Sequence, residues 1–166
     1  MHTHAVHRIA RAARGRGLST LRFQFRGVGL SAGRHDGGRG EKEDVRAALA
    51  AAGAWRPGEP LLLAGFSFGA GVSLRAAQVA DTEHLISVAP PVTRLAQPLR
   101  RPDCHWLIVQ GDADALVDCG AVLAWAQAFD PPPEVRVFAG CDHFFHGRLH
   151  QLRAAVGAHF RHDQAA

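Results

Sequence analysis

An apolar run, Leu61 to Ala64, breaks at once into Gly65-Phe66-Ser67-Phe68-Gly69 and then Ala70 and Gly71. Few local structures accommodate that order. It fits a buried strand turning sharply into a helix with a serine at the corner, where strained backbone lifts the hydroxyl above the sheet. Little room remains on either side, so the positions two before and two after must be small. Gly65 and Gly69 meet that need, while Ala70 and Gly71 let the helix pack closely. The competing reading is a glycine-rich turn whose serine merely caps the helix.

The rest of the chain repeats the same alternation. Val6, Ile9, Ala10 and Ala13 recur at helical spacing, which predicts a helix over 4–14 closed by Gly15 and Gly17. Leu21 to Phe25 alternates strictly and predicts a strand. A glycine-rich loop, Arg26 to Gly40, leads to a helix whose acids Glu41, Glu43 and Asp44 favour its N-terminus and whose stripe is Val45, Ala48, Leu49 and Ala52. Further strands are predicted near 61–64, 85–88, 106–109 and 135–138. Helices are predicted over 68–80, 119–129 and 144–160, with an irregular stretch from Pro90 to Cys104. Five strands alternating with helices imply an α/β fold, a mostly parallel sheet with helices on both faces. At 166 residues, without repeats or a linker, the chain reads as a single domain over 1–166.

Bulk properties exclude several function classes. No run of 18 apolar residues exists, so no membrane span or membrane partner is expected. The N-terminus lacks the apolar core of a secretory signal, and Cys104, Cys119 and Cys141 match neither a disulfide framework nor a zinc spacing, so a reducing, cytoplasmic setting is expected. The formal charge of +4 comes almost wholly from scattered arginines, Lys42 being the only lysine. Without a clustered basic face interleaved with aromatics, no nucleic-acid partner is expected. His2, His4 and His7 lack a completing ligand, so neither metal nor cofactor is expected. The stretch Gly33 to Gly40 superficially resembles a phosphate loop. It lacks the Gly-Lys-Ser/Thr ending, and Glu41, Glu43 and Asp44 would repel a phosphate.

In a parallel sheet, chemistry collects at the carboxyl ends of the strands. Ser67 follows one, Gly111-Asp112-Ala113-Asp114 with Val117 follows another, and Gly140-Cys141-Asp142-His143 follows the last. A serine hydroxyl is a weak nucleophile until a histidine takes its proton, and the histidine needs a carboxylate to fix its tautomer. The order Ser, Asp, His suits this arrangement. Asp112 and Asp114 both qualify as the acid, and His143 and His146 as the base, although His146 should lie one turn into the final helix. Asp118 reads as a helix cap, Asp142 as solvated and Cys141 as a small filler.

These motifs, together with Phe25-Arg26-Gly27-Val28-Gly29, Ser31 and Asp142-His143-Phe144-Phe145, resemble those of α/β-hydrolases. The likeness is to the small, nearly lidless bacterial branch similar to dienelactone hydrolases and simple carboxylesterases. The resemblance implies Ser67 as nucleophile, His143 as general base and Asp114 as orienting acid. It also implies the backbone N–H of Phe68 as one donor of the oxyanion hole. In that branch the second donor comes from a loop with His-Pro or His-Gly after strands that precede the first helix. Here Met1 stands close to that helix, so the second donor and those strands are expected to be missing, as in a chain truncated or started at an internal methionine. One missing strand would lie between 21–25 and 61–64, leaving a gap of about 9 to 10 Å that invites aggregation or strand donation by a partner. The implied activity is hydrolysis of a small ester or related acyl compound. Phe66, Phe68, Phe144 and Phe145 would form an apolar acyl pocket left open by the short 90–104 stretch. The alternatives are a non-catalytic or inactive protein on this scaffold and a peptidase using the same triad. The expected partner is a small-molecule substrate, with a homo-oligomer possible.

Overall fold

The computed structural model describes residues 4–95 and 99–160. Its elements in chain order are α1 (His4–Arg14), α2 (Arg39–Trp55), β1 (Leu62–Phe66), α3 (Phe68–Ala77), β2 (His84–Val88), β3 (His105–Gly111), α4 (Cys119–Gln127), β4 (Glu134–Phe138) and α5 (Leu149–His159). A short 3-10 turn, Val92–Arg94, interrupts the stretch after β2; residues 96–98 of that stretch lie outside the described residues, as does His2. The four strands form one parallel sheet in the order β1-β2-β3-β4. Gly65, Ser87, Ile108 and Val135 align across it, so the carboxyl ends of the strands emerge along one edge.

Side-chain alternation with a period of two sorts the core into two layers. Leu63, Leu85, Trp106 and Ile108 face α2, α3 and α4, while Ile86, Val88, Leu107 and Val109 face α1 and α5. The fold is thus that of an α/β protein with helices on both faces. Arg16 ties the end of α1 to α5, its Nε donating to Gly157 O at 2.9 Å. On α1 the buried residues are Ala5, Ile9 and Ala12, whereas Val6, Ala10 and Ala13 line a groove.

That groove marks where expectation and structure part. Among the described residues there are four strands, and Leu21 to Phe25 does not form the predicted fifth. A strand exists only beside another at hydrogen-bonding distance, about 4.7–4.9 Å. Among the described residues β1 pairs with β2 alone and Leu21–Phe25 pairs with no strand. An apolar groove of about 530 Å³ is lined by residues 18–25, by β1 and by facing side chains of α1 and α2. Leu21 and Phe23 are consequently exposed, and Ala64 in the middle of β1 is exposed while β2 is buried throughout. The final helix also starts later than its apolar pattern predicts, at Leu149. Phe145 (φ 58°) and Gly147 (φ 67°) take left-handed backbone that a helix cannot include.

At the corner after β1, Ser67 has φ 51° and ψ −119°. Its N–H donates to Val88 O at 2.8 Å, extending the β1–β2 ladder past the strand end. The two flanking glycines are not equivalent. A Cβ at Gly65 would overlap the backbone of Gly69 and Ala70, whereas one at Gly69 would meet only the Phe25 ring, at 3.8 Å. The requirement for a small residue therefore holds before the serine and not after it. Gly65→Ala is expected to destabilise the protein by about 1–3 kcal/mol through overpacking. Gly69→Ala, inside the first turn of α3, is expected to be neutral or stabilising by up to about 1 kcal/mol. Urea unfolding of the two variants checks the asymmetry; equal losses would refute it.

Candidate active site

Three loops meet at the carboxyl edge of the sheet. Gly111, the last residue of β3, lies so close to the next loop that a Cβ there would overlap the carbonyl oxygen of Cys141. Ala113 N–H donates to Cys141 O at 3.1 Å, and Gly140 N–H to Asp112 Oδ1 at 2.6 Å. These bonds bring the loop after β3 against the loop after β4. Asp114 and His143 then meet, with His143 Nδ1 2.7 Å from Asp114 Oδ2, and His143 Nε2 lies 3.0 Å from Ser67 Oγ. A continuous carboxylate–imidazole–hydroxyl chain results. The Asp114 side chain is wholly buried and that of His143 nearly so.

The carboxylate is held by four donors. Leu116 and Val117 N–H donate to Oδ1 at 2.8 and 2.9 Å, while Gln110 Nε2 and His143 Nδ1 serve Oδ2. Burial alone would push the Asp114 carboxyl up. The hydrogen bonds from His143, Val117, Leu116 and Gln110 outweigh it and hold the group below the ordinary carboxylate range. Gln110 is fully buried and also donates to Gly111 O and Val117 O, fixing the turn that carries Asp114. Sequence reasoning overlooked it. The available signal was a single amide side chain closing the apolar strand Trp106 to Val109.

The rival residues do other work. Asp112 accepts from Gly140, and Asp118 caps α4 by accepting Ala121 N–H at 2.7 Å. Asp142 is half-exposed, as expected, and also builds a turn by accepting from Phe144 N–H, His146 N–H and His146 Nδ1. His146 lies in that exposed turn, not in the final helix, and points to Asp142. Cys141 is fully buried, and burial followed by the Asp142 charge pushes its thiol up, which suits a filler.

The four phenylalanines separate into different environments. Phe145 is fully buried in the core against Phe138, and so lines no pocket. Phe66 and Phe144 pack on the His143 ring, with centroids at 5.0 and 5.2 Å. Phe68 lies instead against Phe25 and His35, at 5.7 and 5.0 Å. As the first residue of α3 it has no intrahelical acceptor for its N–H, which leaves that donor available beside Ser67.

Two carboxylates hold the glycine-rich loop that packs on Phe68. Asp44 takes the Arg26 guanidinium (2.7 Å to Nη2) and the Arg26 N–H. Glu41, fully buried, accepts Asp36 N–H and Gly38 N–H, each at 2.8 Å, and pairs with His35 Nδ1 at 2.6 Å. The N-terminus of α2, which superficially resembled a phosphate site, is thus occupied by the chain's own carboxylate. Among the described residues no group of three or more His, Cys, Asp or Glu is arranged to hold a metal ion.

No family model matches the chain. The chain is 29% identical over 155 residues to an uncharacterized protein of Rickettsia prowazekii, a match taking in 84% of this chain and 63% of that protein's length. Among solved structures, it is 44% identical to XC6422 of Xanthomonas campestris, an α/β serine hydrolase without a lid. The TM-score there is 0.93, with 98% of this chain and 74% of that one covered. An α/β serine hydrolase homologue of Coxiella burnetii is 43% identical, with a TM-score of 0.90 and coverage of 95% and 76%. With TM-scores of 0.93 and 0.90 and identities of this size over most of both chains, the chain belongs to the α/β-hydrolase family.

Proposed function

We propose that the chain hydrolyses a small ester or related acyl compound through an acyl-enzyme on Ser67. The observation that carries this reading is the unbroken chain from Asp114 through His143 to Ser67 Oγ, with distances of 2.7 and 3.0 Å. In this mechanism His143 Nε2 takes the Ser67 proton as Oγ bonds to the substrate carbonyl carbon. Asp114 keeps Nδ1 protonated, which leaves Nε2 free to accept, and stabilises the imidazolium that forms. The charge gathering on the carbonyl oxygen is met by the Phe68 N–H. Collapse breaks the ester C–O bond, and His143 returns its proton to the departing alcohol. Water, deprotonated by the same histidine, then releases the acid and restores Ser67.

Phe68 supplies an oxyanion donor in this reading, and removing one such donor typically costs about 100- to 1,000-fold in turnover. Three free thiols, Cys104, Cys119 and Cys141, favour a reducing cytoplasmic setting.

A fluorophosphonate probe is expected to label the wild type and not Ser67→Ala, with His143→Ala labelled at least about 1,000-fold more slowly. A folded wild type that resists labelling would sink the reading and favour an inactive scaffold. A second test uses pH. The Asp114 carboxyl lies below its ordinary value when folded. Its ionised form therefore contributes stability that is fully present above the unfolded pKa near 4 and lost as pH falls through the folded value. Urea unfolding at a series of pH values should show wild type more stable than Asp114→Asn at neutral pH. The gap should close below about pH 4; a gap independent of pH would refute the assigned charge state.

A further inference from the structure

Phe144 is a large apolar side chain left 44% exposed, yet it is not loosely held. Asp142 accepts both the Phe144 N–H (3.1 Å) and the His146 N–H (3.0 Å), and it takes the His146 ring as well. That turn presents the Phe144 ring edge-on to His143, at 5.2 Å and 87°, and 6.3 Å from Phe66. Phe66 itself lies 5.0 Å from His143. Two phenylalanines therefore flank the imidazole, one of them open to solvent. The other aromatic group, Phe25 and His35, packs on Phe68, the residue after the serine.

Reaction chemistry decides which part of a substrate meets each group. In acyl transfer the histidine that protonates the leaving oxygen must lie within hydrogen-bond reach of it. Whatever is attached to that oxygen occupies the space beside the imidazole, against Phe144 and Phe66. We propose that Phe144, with Phe66, is the specificity-determining contact for the leaving alcohol, and that the chain favours esters of flat aromatic alcohols over esters of small alkyl alcohols. This divides the single acyl pocket expected from the sequence, and it rests on the acyl-transfer reading at Ser67. Ring-on-ring contacts prefer edge-to-face or offset geometry, and the Asp142 turn holds Phe144 in place before the ligand arrives, which limits the ordering cost. Once the C–O bond breaks the alcohol departs with the His143 proton. The acyl-enzyme left behind is the same for every alcohol, so Phe144 acts on acylation and not on deacylation.

The test pairs 1-naphthyl acetate with ethyl acetate, which share an acyl group. In Phe144→Ala the ratio of kcat/KM for naphthyl over ethyl acetate is expected to fall about tenfold, the scale of one lost aromatic contact. Hydrolysis of the common acetyl-enzyme should keep its rate, and Phe144→Trp should restore the ratio. A loss shared equally by both esters, or one that follows the acyl group when ethyl naphthoate replaces ethyl acetate, would overturn the proposal. Binding separates it from the catalytic reading. By NMR titration, the Ser67→Ala protein should hold 1-naphthyl acetate about tenfold more tightly than Ser67→Ala/Phe144→Ala. Should the wild type resist fluorophosphonate and turn over neither ester, the acyl-transfer reading fails. The titration then decides alone, and equal affinity overturns the role of Phe144.

Discussion

The site hangs from one strained peptide. A non-glycine residue in left-handed backbone costs on the order of 1–3 kcal/mol and persists only where its surroundings over-determine it. Ser67, with φ 51°, is held from three directions. Its N–H donates to Val88 O, its carbonyl accepts from Ala70 and Gly71 in the first turn of α3, and Gly65 leaves room for that turn to fold back over β1. The strain is thus shared by β1, β2 and α3, elements that pack through a buried core including Leu63, Val72, Leu74 and Leu85. A relaxed peptide would carry the hydroxyl away from His143 Nε2.

A second close approach places Asp114 and His143. Gly111 lets the end of β3 touch the loop after β4, and Gln110 stiffens the turn between them from within the core. Asp114 and His143 are 29 residues apart, and the distance between them is set by the β3–β4 register rather than by either loop alone. This is why function gathers at the carboxyl edge of a parallel sheet: strands hydrogen-bonded along their length deliver several short loops to one line.

The open edge of β1 has consequences on both sides of the chemistry. An apolar groove facing water lacks the burial that stabilises a core, and β1 is covered on only one edge among the described residues. The glycine-rich loop compensates locally. Its Arg26–Asp44 and His35–Glu41 pairs are anchored on α2, and its His35 packs on Phe68 beside Phe25, the residue just before the loop. The side of the site that borders the groove is therefore held by charges and hydrogen bonds to α2, whereas the His143 side is held by the packed core around Cys141 and Phe145.

Much was legible in the sequence because it depends on local order. Alternating and helical apolar periods marked β1 to β4 and α1 to α5 within a few residues. Three functional residue types at three strand ends singled out Ser67, Asp114 and His143, the residues that the structure brings into one chain. What eluded the sequence depends on neighbours. Leu21 to Phe25 has the alternation of a strand but no strand beside it, and pairing is a property of two segments. Phe144 and Phe145 read alike in the chain, yet a left-handed residue at 145 turns one into the core and leaves the other over His143. Gly65 and Gly69 look symmetric about the serine, but only Gly65 is crossed by another stretch of backbone. Sequence alone determined the order of elements and the chemistry available at their ends, since both follow from residue type and period. Tertiary structure alone decided which edges pair, which glycines are obligatory and which aromatic rings meet the imidazole, because each is set by a distance between parts of the chain remote in sequence.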